Sequence, residues 1–313
     1  GFPDSVASRG LGDVYKRQGM MTVFFYAKLW RRSEVLTDLE FYELRYSGKE
    51  SVFLRAFRAL YLGVFFNVMI MATVCLAGIK IGGILLGLSP FECVFYSSLI
   101  TVIYSALGGL RSVIITDLIQ FALAMTGSIW ACIYLLNLDQ IGGLNQLVTN
   151  PLLADKLNFF PDFGDFDTLI VVFIIPIAVQ WWAVWYPGAE PGGGGYIAQR
   201  MLSAKDEKNA VYSTLLFNVA HYAIRPWPWI LIALASIIIY PSLSDISSAF
   251  PNVDKSIIGN DIAYPAMLFL LPSGLLGIVI ASLAAAFMST ISSHLNWGAV
   301  SYTHLTLPTN REV

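Results

Sequence analysis

Ala281-Ser282-Leu283-Ala284-Ala285-Ala286-Phe287-Met288-Ser289-Thr290-Ile291-Ser292-Ser293-His294-Leu295-Asn296-Trp297 closes a long apolar run and is crowded with small residues. Small residues let helices approach closely inside a membrane. Ala286, Ser289 and Thr290 fall at i, i+3 and i+4, so they share one helical face. That face offers two hydroxyl oxygens and a backbone carbonyl. Neutral oxygens suit a hard cation and hold it weakly enough to release it. The competing reading is that these hydroxyls bond their own i−4 carbonyls and glue helices together.

The surrounding composition decides the fold class. Hydrophobic residues make up 56% of the 313 and charged residues 13%, against about 25% charged in a soluble domain. The apolar residues come in long blocks, which predicts an all-α polytopic membrane protein with the lipid bilayer as its solvent. A net charge of −2 argues against a nucleic-acid partner. Cys75, Cys93 and Cys132 each lie in an apolar block without metal spacing and read as small core residues.

Spans are expected at 19–30 (partial), 53–79, 91–107, 113–137, 168–190, 210–240 and 262–297. Thr37 followed by Glu40 reads as a capping box opening a short interfacial helix. Gly108-Gly109-Leu110 reads as a tight turn, and Leu271-Pro272-Ser273-Gly274 as an interruption before the last span. Gly1–Gln18 and Val300–Val313 change composition abruptly and resemble translated adaptor sequence. By this reading 1–18 and 300–313 are tails, 19–299 is the core, and the chain is a piece of a longer gene.

Alternating the loops across the membrane tests that parse. One side collects Lys28, Arg31, Arg32, Arg45, Lys49, Arg55, Arg58, Arg111, Arg200, Lys205 and Lys208; the other has Lys80, Lys156 and Lys255. Basic residues mark the cytoplasmic side, so the last span is expected to run from outside to inside, with Ser289 and Thr290 in its inner half.

Polar groups at membrane depth are the remaining candidates. Asn218, His221, Tyr222 and Arg225 fall at i, i+3, i+4 and i+7 and predict one polar stripe. A cation at that depth costs at least about 2.5–3.5 kcal/mol, so Arg225 is expected to face a cavity or a partner. Gln180, Trp181 and Trp182 precede Pro187 and a glycine run, which reads as a broken helix at a solute site or as an interfacial aromatic belt. Asp117 opens a span, where the helix dipole alone favours an acid. His294 has no ligand neighbour in sequence, and no nucleophile–base constellation points to an enzyme.

Several stretches, in order, resemble the sodium/solute symporter family. They are Thr37…Glu40-Phe41…Arg45-Tyr46, Gly108-Gly109-Leu110, Thr116-Asp117…Gln120, Tyr196-Ile197-Ala198-Gln199-Arg200-Met201…Ala204-Lys205, Leu271-Pro272-Ser273-Gly274-Leu275-Leu276-Gly277 and Ala285-Ala286…Met288-Ser289-Thr290…Leu295-Asn296. The resemblance covers about 19–299. It implies an incomplete LeuT-like inverted-repeat helix bundle whose spans are the family's third (in part) to ninth helices. It implies a sodium ion at the Ala286 carbonyl and the Ser289 and Thr290 hydroxyls, with Asp117 on the sodium exit path. Gln180, Trp181, Trp182 and the Asn218–Arg225 stripe fall on its substrate-facing helices. The family's second helix, which completes the sodium site, falls before residue 19. The Pro187–Gly195 segment is longer than in common sugar-transporting members. The expected activity is sodium-coupled import of a small polar solute, sugar-like or another organic solute, across a bacterial inner membrane. The alternative is the membrane sensor module of a histidine kinase on the same fold.

Overall fold

The computed structural model describes residues 19–157, 163–178, 195–251, 253 and 258–306, and those residues contain helices and no strand. In chain order, a π-helical turn at Thr22–Tyr26 leads into α1 (Ala27–Arg32), followed by α2 (Glu40–Arg45) and α3 (Gly48–Leu60). A second π turn, Tyr61–Phe66, joins α3 to α4 (Asn67–Leu86). The longest helix, α5, runs Pro90–Leu136; short pieces α6 (Leu144–Thr149) and α7 (Ala154–Leu157) follow. α8 (Phe166–Leu169), a π turn and α9 (Ile175–Ala178) carry the chain to 178. After residue 194 come α10 (Gly195–Leu202), α11 (Glu207–Asn218), a π turn at Val219–Ile224 and α12 (Pro226–Ile239). α13 (Leu243–Ala249), α14 (Ala263–Leu268) and α15 (Ser273–Thr306) complete it.

Four stretches among the described residues are long and apolar enough to cross a membrane: Gly48–Leu86, Gly109–Leu136, Glu207–Ile239 and Ser273–Thr303; Pro90–Ile103 is a shorter apolar helix. Their bounds depart from the expected ones for local reasons. The stretch expected at 53–79 extends over 39 residues, about 58 Å at 1.5 Å per residue, so its polar first turns stand outside a hydrocarbon core of about 30 Å. The turn expected at 108–110 is a single kink inside α5, where Gly109 adopts φ 56° and ψ −165°. That region is essentially restricted to glycine. Among the described residues nothing lies within 4 Å of a Cβ built there, so the backbone demands the glycine. The span expected at 168–190 is described only to Ala178.

Near the first interface, Glu40 N donates to Thr37 Oγ1 at 3.3 Å while Glu40 Oε2 accepts from Leu36 N at 3.0 Å. This is a capping box displaced by one residue on its return bond. The span expected at 262–297 is divided. α14 is a short helix, the chain turns at Leu271-Pro272, and α15 begins at Ser273. α15 then continues past residue 299 to Thr306, and Ser301 is buried. The helix therefore passes through the composition change at 300. Residues 1–18 and 307–313 lie outside the described residues.

The chain forms two compact units. One takes 71–159 and 224–292; the other takes the described parts of 2–70, 160–223 and 293–313. In the first, Ala131, Cys132 and Leu135 of α5 pack with Ile232 and Ala235 of α12 and with Met267, Leu268, Leu275 and Val279. Gly127 permits close approach there, since a Cβ would lie 3.0 Å from Ser282 Oγ and 3.6 Å from Val279 Cα. In the second unit, Ala198 and Met201 of α10 pack on Ala27 and Ala210. Asp38 Oδ2 accepts from Gly195 N at 3.2 Å and fixes the start of α10. Arg32 grips Glu207 with two bonds of 2.9 and 3.0 Å. Gly298 lies against the π turn, where a Cβ would be 3.1 Å from Gly63 O.

Candidate functional site

The α15 face holds the oxygens that its spacing predicts. Thr290 Oγ1 donates to Ala286 O at 3.0 Å, so the bond of the helix-glue reading is made. That bond also sets the two oxygens side by side on one face. The Ser289 hydroxyl reaches another helix: its Oγ donates to Asp117 Oδ1 on α5 at 2.5 Å, across 172 residues. Ala286, Ser289, Thr290 and Asp117 are all half-buried.

This arrangement fits a hard cation. A hydroxyl that ligates a cation must turn its proton away and present a lone pair. Here Asp117 takes the Ser289 proton and the Ala286 carbonyl takes that of Thr290. The carboxylate also brings a negative charge to within one hydrogen bond of the hydroxyl pair. Next to these, Thr116 turns back to the Ser112 and Val113 carbonyls, at 2.9 and 3.0 Å. Gln120 Oε1, one turn along from Asp117, is buried without a hydrogen bond among the described residues.

The 218–225 stripe departs from regular α-helical winding after Asn218. Its spacing assumed 3.6 residues per turn, but Val219–Ile224 is wound as a π turn, which takes more residues per turn and is frequent at functional sites. Pro226 and Pro228 cause much of this, because each lacks the N–H an α-helix would supply. Asn218 is buried and donates Nδ2 to Thr214 O at 2.8 Å. His221 stacks on Phe217, with ring centroids 5.2 Å apart, and meets Tyr222 edge-on at 4.7 Å. The Arg225 guanidinium sits 5.5 Å from the Trp229 ring centroid, and Trp229 Nε1 donates to buried Ser128 Oγ at 3.1 Å. Gln180, Trp181 and Trp182 lie outside the described residues.

A second polar group on α15 gains its partners only in the fold. His294 Nδ1 lies 2.5 Å from Asn67 Oδ1, and Asn67 Nδ2 donates to His294 O at 2.9 Å. The reciprocal pair makes Nδ1 the protonated nitrogen. Gln199 and Arg200 of α10 reach Asn296 and Ser293. The available signal was Asn67 itself, an amide inside the apolar run 59–79.

Comparison with known proteins bears on the family and the fold. The model of the sodium:solute symporter family matches residues 9–305. The sodium/mannose cotransporter of Bos taurus is 26% identical over 301 residues, covering 89% of this chain and 48% of that protein. The sodium/glucose cotransporter of Vibrio parahaemolyticus is 26% identical over 300 residues, covering 89% and 51%. The sodium/sialic acid symporter of Proteus mirabilis is 24% identical over 287 residues, covering 88% and 52%. The chain thus spans about half the length of the curated relatives it matches. A solved structure of a Na+-coupled sialic acid symporter, substrate-bound and outward-open, superposes with a TM-score of 0.68 at 20% identity, covering 99% of this chain and 65% of that one. Fold, apolar spans and family match agree: this multi-pass membrane chain belongs to the sodium:solute symporter family.

Proposed function

We propose that the protein is a sodium-coupled symporter that imports a small polar solute, sugar-like or another organic solute, across a bacterial plasma membrane. The observation that carries the reading is the pair of hydrogen bonds that dispose of the Ser289 and Thr290 protons, leaving both oxygens and the Ala286 carbonyl as sodium ligands. Asp117 stands one bond away and receives the ion as it leaves. The relatives named above carry mannose, glucose or sialic acid in their names, which supports a small polar cargo. The asymmetry of lysine and arginine between the loops supports placing the α10 side in the cytoplasm.

Coupling follows from differential affinity. Sodium that binds the outward-open form better than the inward-open form raises solute affinity on the outside by the same factor. Each inward charge is driven by about 2.3 kcal/mol per 100 mV of membrane potential. Arg225, braced on Trp229, is the candidate for contacting the solute from its helix.

The test uses the full-length protein in liposomes, with sodium titrated against choline and a panel of labelled sugars, polyols and sugar acids. Ser289→Ala and Thr290→Ala each remove one ligand and are expected to raise the sodium concentration for half-maximal uptake by about tenfold, the equivalent of one modest ligand contact. Unchanged sodium dependence in both variants would return the pair to helix packing.

A further inference from the structure

α10 meets the last turns of α15 through polar and aromatic side chains, all within one compact unit. Arg200 Nη2 donates to Ser293 Oγ at 2.7 Å, and its Nη1 donates to Tyr196 O at 3.2 Å. The guanidinium also lies 5.6 Å from the Tyr196 ring centroid. Tyr196 stands 5.5 Å from the His294 ring, and His294 stands 6.3 Å from the Trp297 ring. Ser293 and Trp297 are i and i+4 on α15, so they share a face. The guanidinium and the indole therefore border one small region of this contact.

Two buried side chains there keep a polar atom without a hydrogen bond among the described residues. Trp297 is 3% exposed and its Nε1–H meets no acceptor; Gln199 is 8% exposed and its Oε1 meets no donor. An indole nitrogen can only donate, so Trp297 calls for an acceptor. Water could serve, but Arg200 favours an acceptor that is negative. Its charge is permanent at any accessible pH, and the weakly hydrated guanidinium is the cation best suited to a buried ion pair. No acidic residue falls in 195–205 or 273–306 to repel an anion from either helix. Asp38 meets α10 at its other end, at Gly195 N. The Gln199 oxygen does not oppose an anion either. Gln199 Nε2 donates to Asn296 Oδ1 at 3.0 Å. If both amides turn over, Asn296 Nδ2 donates to Gln199 Oε1, and Gln199 Nε2 becomes a further donor.

We propose that Arg200, Trp297 and the Gln199–Asn296 amide pair bind one small monovalent anion, chloride, between α10 and α15. Arg200 supplies the balancing charge, Trp297 Nε1–H donates to the ion, and the amide pair, turned over, adds a second donor. The bound ion offsets the guanidinium and satisfies the indole, so chloride steadies the contact between the two helices. Donors fixed on packed helices accept a small sphere and refuse a bulky organic anion such as gluconate. The sodium oxygens take no part in this site, so it stands or falls apart from them.

The experiment melts the purified full-length protein while sodium chloride is replaced stepwise by sodium gluconate, so that sodium and ionic strength stay constant. Chloride is expected to raise the thermal midpoint saturably, by about 2–4 °C at about tenfold over its half-saturating concentration. Trp297→Phe keeps a ring and removes the donor, and is expected to raise the half-saturating chloride concentration by about tenfold. Arg200→Gln is expected to abolish the shift, and Arg200→Lys to keep it, because the charge remains. Bromide, which quenches indole fluorescence on contact, is expected to quench a saturable fraction that chloride competes away and that Trp297→Phe lacks. Equal midpoints in chloride and gluconate overturn the proposal and leave the indole to water. A chloride shift unchanged in both Trp297→Phe and Arg200→Gln also overturns it, by placing the anion elsewhere. Where a variant gives no folded protein, the wild-type bromide titration decides: quenching without a saturable fraction displaced by chloride overturns the site.

Discussion

At the scale of single residues, Asp117 accepts from Ser289, and the proposed function adds a charge that attracts sodium; one substitution separates the two. Asparagine keeps an oxygen to accept from Ser289 but removes the charge. Hydrogen bonds to charged groups contribute about 1.5–3 kcal/mol, roughly twice the neutral value. Asp117→Asn is therefore expected to raise the sodium concentration for half-maximal uptake by about tenfold, while the thermal midpoint without sodium changes little. A sodium titration of uptake beside a melt in choline checks both. Trp229 offers a second case. Trp229→Phe leaves a ring under Arg225 but strips the buried Ser128 hydroxyl of its donor. The expected cost is about 1 kcal/mol, seen as a lower midpoint in detergent. A midpoint equal to wild type would mean that Ser128 has another donor.

The elements add constraints that no side-chain contact explains. Gly109 kinks α5 at a positive φ with open space around it. Gly109→Ala is expected to cost about 1–3 kcal/mol purely as backbone strain, and Gly109→Val no more than slightly beyond that, because nothing is there to clash with. Equal losses in thermal stability for the two variants are the signature; a much larger loss for valine would mean a packed site. At Gly298 the two substitutions are expected to differ. A Cβ there meets Gly63 O at 3.1 Å, so valine is expected to destabilise far more than alanine, by separating α15 from the π turn. At the start of α11, Asn209 N donates to Asp206 Oδ1 at 2.7 Å and is the main reason that this carboxyl lies below the usual carboxylate range. A depressed folded pKa gives stability that is present above the unfolded value, near about 4, and is lost as pH falls through the folded one. Asp206→Asn keeps a capping oxygen without the titration. Its melting curve is expected to be flatter than wild type below about pH 4.

For the molecule as a whole, the solvent is lipid. Large apolar side chains stand outward along its apolar helices, among them Phe53, Phe57, Phe65, Phe91 and Leu118, with Phe91 73% exposed. A soluble monomer rarely exposes contiguous apolar surface on that scale. The protein is expected to stay with membranes through an alkaline carbonate wash and to leave them only in detergent. Release by carbonate alone would contradict the reading of these helices as spans. Within each unit, cohesion comes from small residues at crossings, as at Gly127 with Ser282, and from polar pairs such as Trp229 with Ser128. Both are the means of association left when the surroundings are as apolar as the core.

What the sequence determined by itself was local or additive. Apolar blocks near twenty residues report spans because each residue contributes its own transfer free energy. Ala286, Ser289 and Thr290 could be set on one face by counting, since α15 is regular there. The tertiary structure alone joined Asp117 to Ser289 across 172 residues and Asn67 to His294 across 227, because lipid does not dictate how a helix is rotated toward its neighbour. It also wound 219–224 as a π turn, a departure from 3.6 residues per turn that spacing alone does not report. It carried α15 through the composition change at 300, with Ser301 buried. The physical reason is common to these cases. Composition and spacing describe what one helix offers, whereas a polar group's partner is decided by packing between helices, where one bond across the contact outweighs a weak local preference.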